Sequence, residues 1–250
     1  MSKRAAKHRF FAESINAEVV ALSTEESHHA LDVLRLKAGE PVIVLDGAGG
    51  VGEGVLEVLG RGSAAVKVHR RRKASPLEPA VELAFAAPKG KRLDWLLEKA
   101  TELGATSLSP VIFERSVVQP RSDRQRRWRS ICIAAAKQSG AEFLPGIAPP
   151  RELPAYLASA GDGLRLLGDP AARATLPQVL AGPEAARVVR ILVGPEGGMT
   201  EAERALAVKA GFLPVRMAVQ VLRVETAVVG FLAVIRALGA GVPFGPLGGS

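Results

Sequence analysis

The chain has 250 residues, 48% of them hydrophobic and 23% charged, which excludes a disordered segment and suffices for one large domain or two modest ones. A single cysteine, Cys132, excludes an internal disulfide and a cysteine-based zinc site and fits a reducing compartment. The net charge of +8 and pI near 10.1 favour a polyanionic partner, while aromatics at only 4% argue against a broad base-stacking platform.

Met1 to Phe10 carries Lys3, Arg4, Lys7 and Arg9 with no apolar stretch behind them, so a signal peptide is not expected. Glu25 to Leu36 reads as a helix. Pro41 to Asp46, Val51 to Leu59 and Ala64 to Arg70 read as short strands separated by glycines, the pattern of a small barrel. Arg70-Arg-Arg-Lys73 and Ala74-Ser-Pro76 then mark a linker. Beyond it strands and helices alternate. Val81–Ala87, Ser107–Phe113, Leu164–Leu167, Val188–Val193 and Val215–Leu222 are strand candidates. Arg92–Leu103, Asp123 to about Gln138, Thr200–Ala210 and Thr226–Leu238 are helix candidates. Apolar strands without strict alternation, separated by helices, indicate a parallel sheet covered on both faces. The most apolar segment, Ala227 to Leu238, falls short of the roughly 20 residues a bilayer requires. A cytoplasmic protein with a mobile Gly/Pro-rich tail, Gly239 to Ser250, is the expectation.

Ligands of open parallel sheets bind beyond the C-terminal strand ends. Three such ends carry small or polar groups: Gly168-Asp-Pro170, Gly194-Pro-Glu-Gly-Gly198 and Leu222-Arg-Val-Glu-Thr226. The second leads into the capping box Thr200-Glu-Ala-Glu203, which puts a glycine-rich backbone at a helix start. It lacks the Gly-Lys-Ser/Thr of a phosphate loop and the dinucleotide G-x-G-x-x-G, so a plain turn and a binding loop both remain open. Glu196 could serve chemistry or simply pair with local N–H groups. Arg223 and Glu225 could be functional or form a structural ion pair. The basic cluster Arg121, Arg124, Arg126, Arg127 and Arg129 points to phosphate contact or to a solvated face. Four scattered histidines support no metal site.

Several stretches, in order along nearly the whole chain, resemble the bacterial 16S rRNA (uridine-N3) methyltransferase family of the SPOUT (trefoil-knot) superfamily. They are His28-His29 through Val33-Leu-Arg35, Asp46-Gly-Ala-Gly49, Pro88-Lys-Gly-Lys91 through Glu98 to Gly104, Glu114-Arg-Ser116, Arg127-Trp128, Ala135 to Gly140, Gly194 to Gly198 and Leu222 to Ala227. The resemblance implies an α/β fold: a small N-terminal PUA-like β-barrel that binds RNA, over 1–74, and a C-terminal trefoil-knotted parallel-sheet methyltransferase domain, over 75–250. It implies S-adenosyl-L-methionine as cofactor, 16S rRNA of the small ribosomal subunit as partner, and a homodimer with neither membrane nor metal.

By position, the cofactor would be bound by Leu167, Gly168, Val193, Gly194, Pro195, Glu196, Gly197, Gly198, Val221, Leu222, Arg223 and Thr226. Catalysis would fall to Arg223, Glu196 and Glu225, and RNA binding to Arg9, Arg35, Lys89, Lys91, Arg115, Arg124, Arg126 and Arg127. The sequence departs from the family pattern at Lys137, Ala141, Met199, Met217, Ala218 and Gln220. A methyltransferase acting on a ribose 2′-OH or another base, or a non-catalytic RNA-binding assembly factor, would share much of this pattern.

Overall fold

A computed structural model of the chain describes residues 8–60, 62–120, 122–181 and 186–239. The basic run up to Lys7, Arg121 and the tail from Ala240 lie outside the described residues. The chain divides into two compact units, one of Met1–Pro76 with Ile133–Leu144 and the other of Leu77–Cys132 with Pro145–Ser250.

In the first unit β1 (His8–Phe11), β2 (Val19–Ala21), β3 (Pro41–Leu45), β4 (Gly50–Gly60) and β5 (Ser63–Lys73) form one sheet in the order β1-β3-β4-β5-β2. Alternation along β3 and β5 sends Val42, Val44, Val66 and Val68 inward, where Phe10, Val20, Ala30 and Leu56 complete the core. The expected helix from Glu25 is shorter than the pattern suggested. Helix α1 (Thr24–His28) is capped by Ser23, whose hydroxyl accepts from the N–H of Glu26, and passes into a π-helical turn over His29–Val33. The chain then leaves through Arg35, at a left-handed φ of 54°, which ends the helix before Leu36.

Two features of this unit, the family-like Asp46–Gly49 turn and the departure at Lys137, have structural explanations. Gly49 has φ 89°, and a Cβ there would stand 2.4 Å from the Phe143 ring, so the Asp46–Gly49 turn is shaped to receive the segment 142–144. Lys137 pairs at 2.5 Å with Glu26, a carboxylate that is only 7% exposed and also accepts from the N–H of Phe11. The basic block is not a linker either, since Arg70 to Lys73 continue β5. Arg71 donates to the carbonyls of Ile15 and Ala17, Arg72 to Glu142, and Lys73 to the carbonyl of Ala48. These cations hold the fold of the unit and leave Arg70 as the freer end of the block, 3.9 Å from Glu53.

The second unit contains β6 (Ala80–Ala86), α2 (Lys91–Glu102), β7 (Ser107–Ile112), the start of α3 (Gln125–Ser139), β8 (Gly146–Ile147), β9 (Arg151–Glu152), α4 (Leu153–Ser159), β10 (Leu164–Gly168), α5 (Leu176–Leu180), β11 (Val188–Val193), α6 (Glu201–Lys209), β12 (Leu213–Val215) and α7 (Val224–Gly239). The sheet order is β12-β10-β11-β6-β7-β8, with β9 also on β7, and every pairing is parallel. One face packs on α4 and α6 through Ala84, Ala86, Leu167 and Leu192 against Leu153, Tyr156 and Ala207. The residues alternating with these, among them Leu83, Phe85 and Ile191, point to the other face, where α7 lies on β6 and β11 beside α2.

Helix α7 is apolar apart from Glu225 and Thr226 near its start and Arg236 near its end. Arg236 donates from Nε to the carbonyl of Leu103 at 3.2 Å and from its terminal nitrogens to those of Pro79 at 2.6 Å and Gly104 at 2.5 Å, satisfying two carbonyls at the end of α2 and one just before β6. The strand expected over Val215–Leu222 is not formed, because β12 ends at Val215 and 216–223 is irregular. Its apolar residues line a cavity there, and do not pair in the sheet.

Candidate functional site

A cavity of about 290 Å³ opens at the C-terminal ends of β10, β11 and β12. Gly168 to Ala171 form one wall, Val193 to Met199 the second, and the segment from Val215 to Leu222 the third. Ala227 and Phe231 of α7 line it as well. This is where a doubly covered parallel sheet leaves backbone ends free of helices, and the location follows from topology alone.

The local sequence explains each wall. After β11 the chain makes a turn closed by the N–H of Gly198 donating to the carbonyl of Pro195 at 2.8 Å, with Gly198 at φ 74°. Helix α6 then starts on Thr200 in a full capping box with Glu203. A Cβ on Gly194 would lie 2.8 Å from Met199 Cγ, so Met199, one of the departures from the family pattern, fills the space beside that glycine. A Cβ on Gly168 would meet Phe231 at 3.2 Å. Met217 lies over α7, with its Cε 3.0 Å from the position of a Cβ at Gly230.

The polar groups are few and well held. Asp169 is only 8% exposed, and its carboxylate accepts from Arg204 Nε at 2.8 Å and from the N–H of Ala171 at 2.9 Å. That hydrogen bond also raises the pKa of Arg204. Glu196 accepts from Arg92 at 3.1 Å, and the same Arg92 nitrogen is 3.9 Å from Glu225 Oε1. The other oxygen of Glu225 is buried without a hydrogen-bond partner, an uncommon and costly state. Chemically, the cavity offers apolar walls for a flat ring, carboxylates for hydroxyl or cationic groups, and a glycine backbone that a ligand can approach closely.

Of the residues picked from sequence for the cofactor, Gly168, Val193, Gly194, Pro195, Glu196, Gly198, Val221 and Leu222 line this cavity together. Leu167 is instead a fully buried core residue, Gly197 faces Arg115, and Arg223 and Thr226 are exposed at the start of α7 without forming part of the wall. Glu225, picked for catalysis, is buried behind the wall, and Glu196 sits at its rim. Among the residues picked for RNA, Lys89 and Lys91 are exposed on either side of Gly90, the N-cap of α2. Arg124 and Arg126 are exposed and Arg127 pairs with Asp94 at 2.5 Å. Arg115 donates to the carbonyl of Gly197 at 3.1 Å, Arg9 lies against Gly140, and Arg35 is exposed.

Sequence reasoning passed over Arg92, Arg204, Asp169, Met217 and Phe231. Asp169 stood in a strand end already singled out, and Arg92 follows directly on the Lys89-Gly-Lys91 run. Met217 was noted only as a departure from the family pattern, and Arg204 and Phe231 carry no local signal, because helical positions reach the cavity only through packing.

Comparison with known proteins adds the following. Residues 75–236 match the RNA methyltransferase domain family and residues 22–68 the RNA methyltransferase PUA domain family. The chain is 34% identical over 229 residues to the ribosomal RNA small subunit methyltransferase E of Synechocystis sp., covering 90% of this chain and 75% of that protein. The protein of the same name from Mycobacterium bovis is 32% identical, with 84% and 82% covered. Among solved structures, the ribosomal RNA small subunit methyltransferase E of Neisseria gonorrhoeae bound to S-adenosyl methionine superposes with a TM-score of 0.84 at 29% identity, covering 92% of this chain and 97% of that one. A methyltransferase of Legionella pneumophila, also in complex with that cofactor, gives 0.83 at 28% identity, with 94% and 98% covered.

Proposed function

The chain belongs to the RNA methyltransferase family defined by these two domains, and on that premise we propose that it methylates N3 of a uridine in 16S ribosomal RNA, using S-adenosylmethionine. The fold is α/β, a parallel-sheet RNA methyltransferase domain with an N-terminal PUA domain, and we read it as the SPOUT (trefoil-knot) kind that the sequence resembles. One observation carries the functional reading: the cavity at the ends of β10 and β11, closed by the segment 216–222, coincides with the glycine loop and strand ends picked out from sequence.

The residues present fit S-adenosylmethionine. The cavity is near the lower end of the roughly 300–1,000 Å³ usual for small-molecule sites. Val193, Met199, Leu222 and Phe231 suit an adenine ring, and Asp169 and Glu196 suit ribose hydroxyls and the cationic end of the molecule. At Gly168 and Gly194 any Cβ would crowd the wall, so a bare backbone is kept where a ligand must come close. When bound, the cofactor supplies an electrophilic methyl group on a sulfonium. The chain's own work is to position the base in line and to stabilise charge.

A uridine N3 carries a proton and becomes nucleophilic as that proton leaves. Arg223, exposed beside the cavity segment, stabilises the negative charge that then develops on the uracil oxygens. Glu196 lines the cavity and is the carboxylate placed to orient the base or to accept its proton, with Glu225 buried behind it. Lys89 and Lys91 support a phosphate contact. Cations in the first turn of a helix oppose its dipole, and a bound phosphate would reverse that penalty. Arg124, just before α3, and Arg126 and Arg127 on it extend the same basic character, and Arg9 and Arg35 supply cations in the PUA unit.

We further assign a homodimer. Its support is a half-exposed apolar stripe on α7 that includes Val229, Gly230, Ala233 and Val234. The protein is assigned to the cytoplasm, where ribosomal RNA of the small subunit is found; separately, no helix among the described residues is long and apolar enough to cross a membrane. The test is isothermal titration with S-adenosylmethionine together with mass spectrometry of 16S rRNA treated with the protein. Methyl on a ribose or on another base would refute the N3 assignment. Arg223→Ala should bind cofactor normally but react about 100- to 1,000-fold more slowly.

A further inference from the structure

The glycine loop from Gly194 to Gly198 is gripped from outside the cavity by two arginines that its own sequence does not announce. Arg92, on the first turn of α2, donates to Glu196 at 3.1 Å. Arg115, in the turn after β7, donates to the carbonyl of Gly197 at 3.1 Å, and its Cβ is 3.5 Å from where a Cβ of Gly197 would be. Each contact alone is weak, since the Arg92 and Glu196 side chains are 38% and 37% exposed and Arg115 is exposed too. A third group changes the balance. The Glu225 side chain is 9% exposed, has Oε1 3.9 Å from the same Arg92 nitrogen, and keeps Oε2 buried with no partner. A planar guanidinium has five donors in a fixed fork, and only one nitrogen of Arg92 is engaged here. Arg92 is therefore placed to hold the loop carboxylate and the α7 carboxylate together.

We propose that Arg92 and Arg115 are positioning residues for the cofactor loop and not RNA grips: Arg92 ties the loop to the first turn of α7 through Glu196 and Glu225, and Arg115 fixes the loop's outer strand through Gly197. The consequence deepens the reading above and rests on it, because the loop so held is a wall of the S-adenosylmethionine cavity. Arg115 thereby leaves the set of phosphate contacts in which the sequence alone would put it. Held on one side by a hydrogen bond to a carbonyl and on the other by a charge pair, the loop keeps the Pro195–Gly198 turn in one conformation before ligand arrives. Preorganisation of that kind raises affinity by removing the ordering cost of binding.

The full-length protein is tested with Arg92→Gln and Arg115→Gln in three measurements. Without RNA, calorimetry should show S-adenosylmethionine bound about five- to tenfold more weakly by each variant, the size of one lost hydrogen bond. With neither cofactor nor RNA, amide exchange over 194–200 should be faster in both. The slope of log RNA affinity against log salt should stay at its wild-type value. Arg92→Lys, which keeps the charge near Glu225 but not the fork, should recover part of the affinity. Unchanged cofactor affinity with a salt slope lower by about 0.7–0.9 per arginine would make these residues phosphate contacts and overturn the proposal. Unchanged loop exchange would overturn it as well. If the wild-type protein itself binds no S-adenosylmethionine, the functional reading fails, while the exchange measurement still decides the clamp.

Discussion

Replacing Arg236 by methionine should lower the stability of the methyltransferase unit by about 3 kcal/mol. The perturbation is selective, because methionine keeps most of the aliphatic stem that packs within α7 and removes only the guanidinium. Three backbone acceptors lose their donor: Leu103, Pro79 and Gly104, at 3.2, 2.6 and 2.5 Å. A hydrogen bond contributes about 1–1.5 kcal/mol net, and more with a charged donor. Burial works against the cation, lowering the pKa of Arg236, and water can reach some of the freed carbonyls because the residue is only half-buried. The end of α2 also loses a positive charge at the negative pole of its dipole. For a protein of this size each kcal/mol shifts Tm by about 2–4 °C, so a fall of about 6–12 °C is expected. Both tryptophans, Trp95 and Trp128, belong to this unit, and their fluorescence during heating or urea unfolding reports it directly. Arg236→Lys, with a single point donor, should fall between the two. Melting of Arg236→Met within about 2 °C of the wild type would refute the argument.

Gly194→Ala should bind S-adenosylmethionine more than about tenfold more weakly in calorimetry, because its Cβ meets Met199 at 2.8 Å, and adding Met199→Ala should restore part of the affinity. In the PUA unit, Lys137→Met strands the buried Glu26 carboxylate and should cost about 3 kcal/mol by urea unfolding followed by circular dichroism. Lys137→Met with Glu26→Gln should recover most of that. Burial, reinforced by Glu82, pushes the hydroxyl of Tyr156 up to about 12. The unfolded chain ionises it near pH 10, so between about pH 10 and 12 the folded state holds the extra proton. Stability should therefore fall across that window, by up to about 2–3 kcal/mol, and Tyr156→Phe should lose that part of the fall. Because the chain has one tyrosine, ultraviolet difference absorbance reads its titration without overlap.

Much of the fold was legible from local chemistry. Apolar runs such as Val81–Ala87 and Val188–Val193 could only be strands buried on both faces, and Thr200 with Glu203 announced a helix start that the capping box realises. The glycine loop and the small residues at strand ends were visible as a cavity wall because bare backbone is encoded residue by residue. What pattern could not decide was partnership. Val215–Leu222 has the composition of a strand, yet beyond Val215 it wraps the cavity, since pairing depends on which neighbour has an edge to offer. Arg70 to Lys73 have the composition of a phosphate patch, yet the carbonyls of Ile15, Ala17 and Ala48 and the carboxylate of Glu142 engage most of them.

By itself, then, the sequence determined the layered parallel sheet, the basic character and the place along the chain where a ligand would meet backbone, because periodicity, charge and glycine are properties of short segments. The tertiary structure alone decided which charges are free and which are consumed. Lys137 finds Glu26 across 111 positions, and Arg92 finds Glu196 across 104. Contacts at that separation are set by how helices and strands pack, and no local pattern records them.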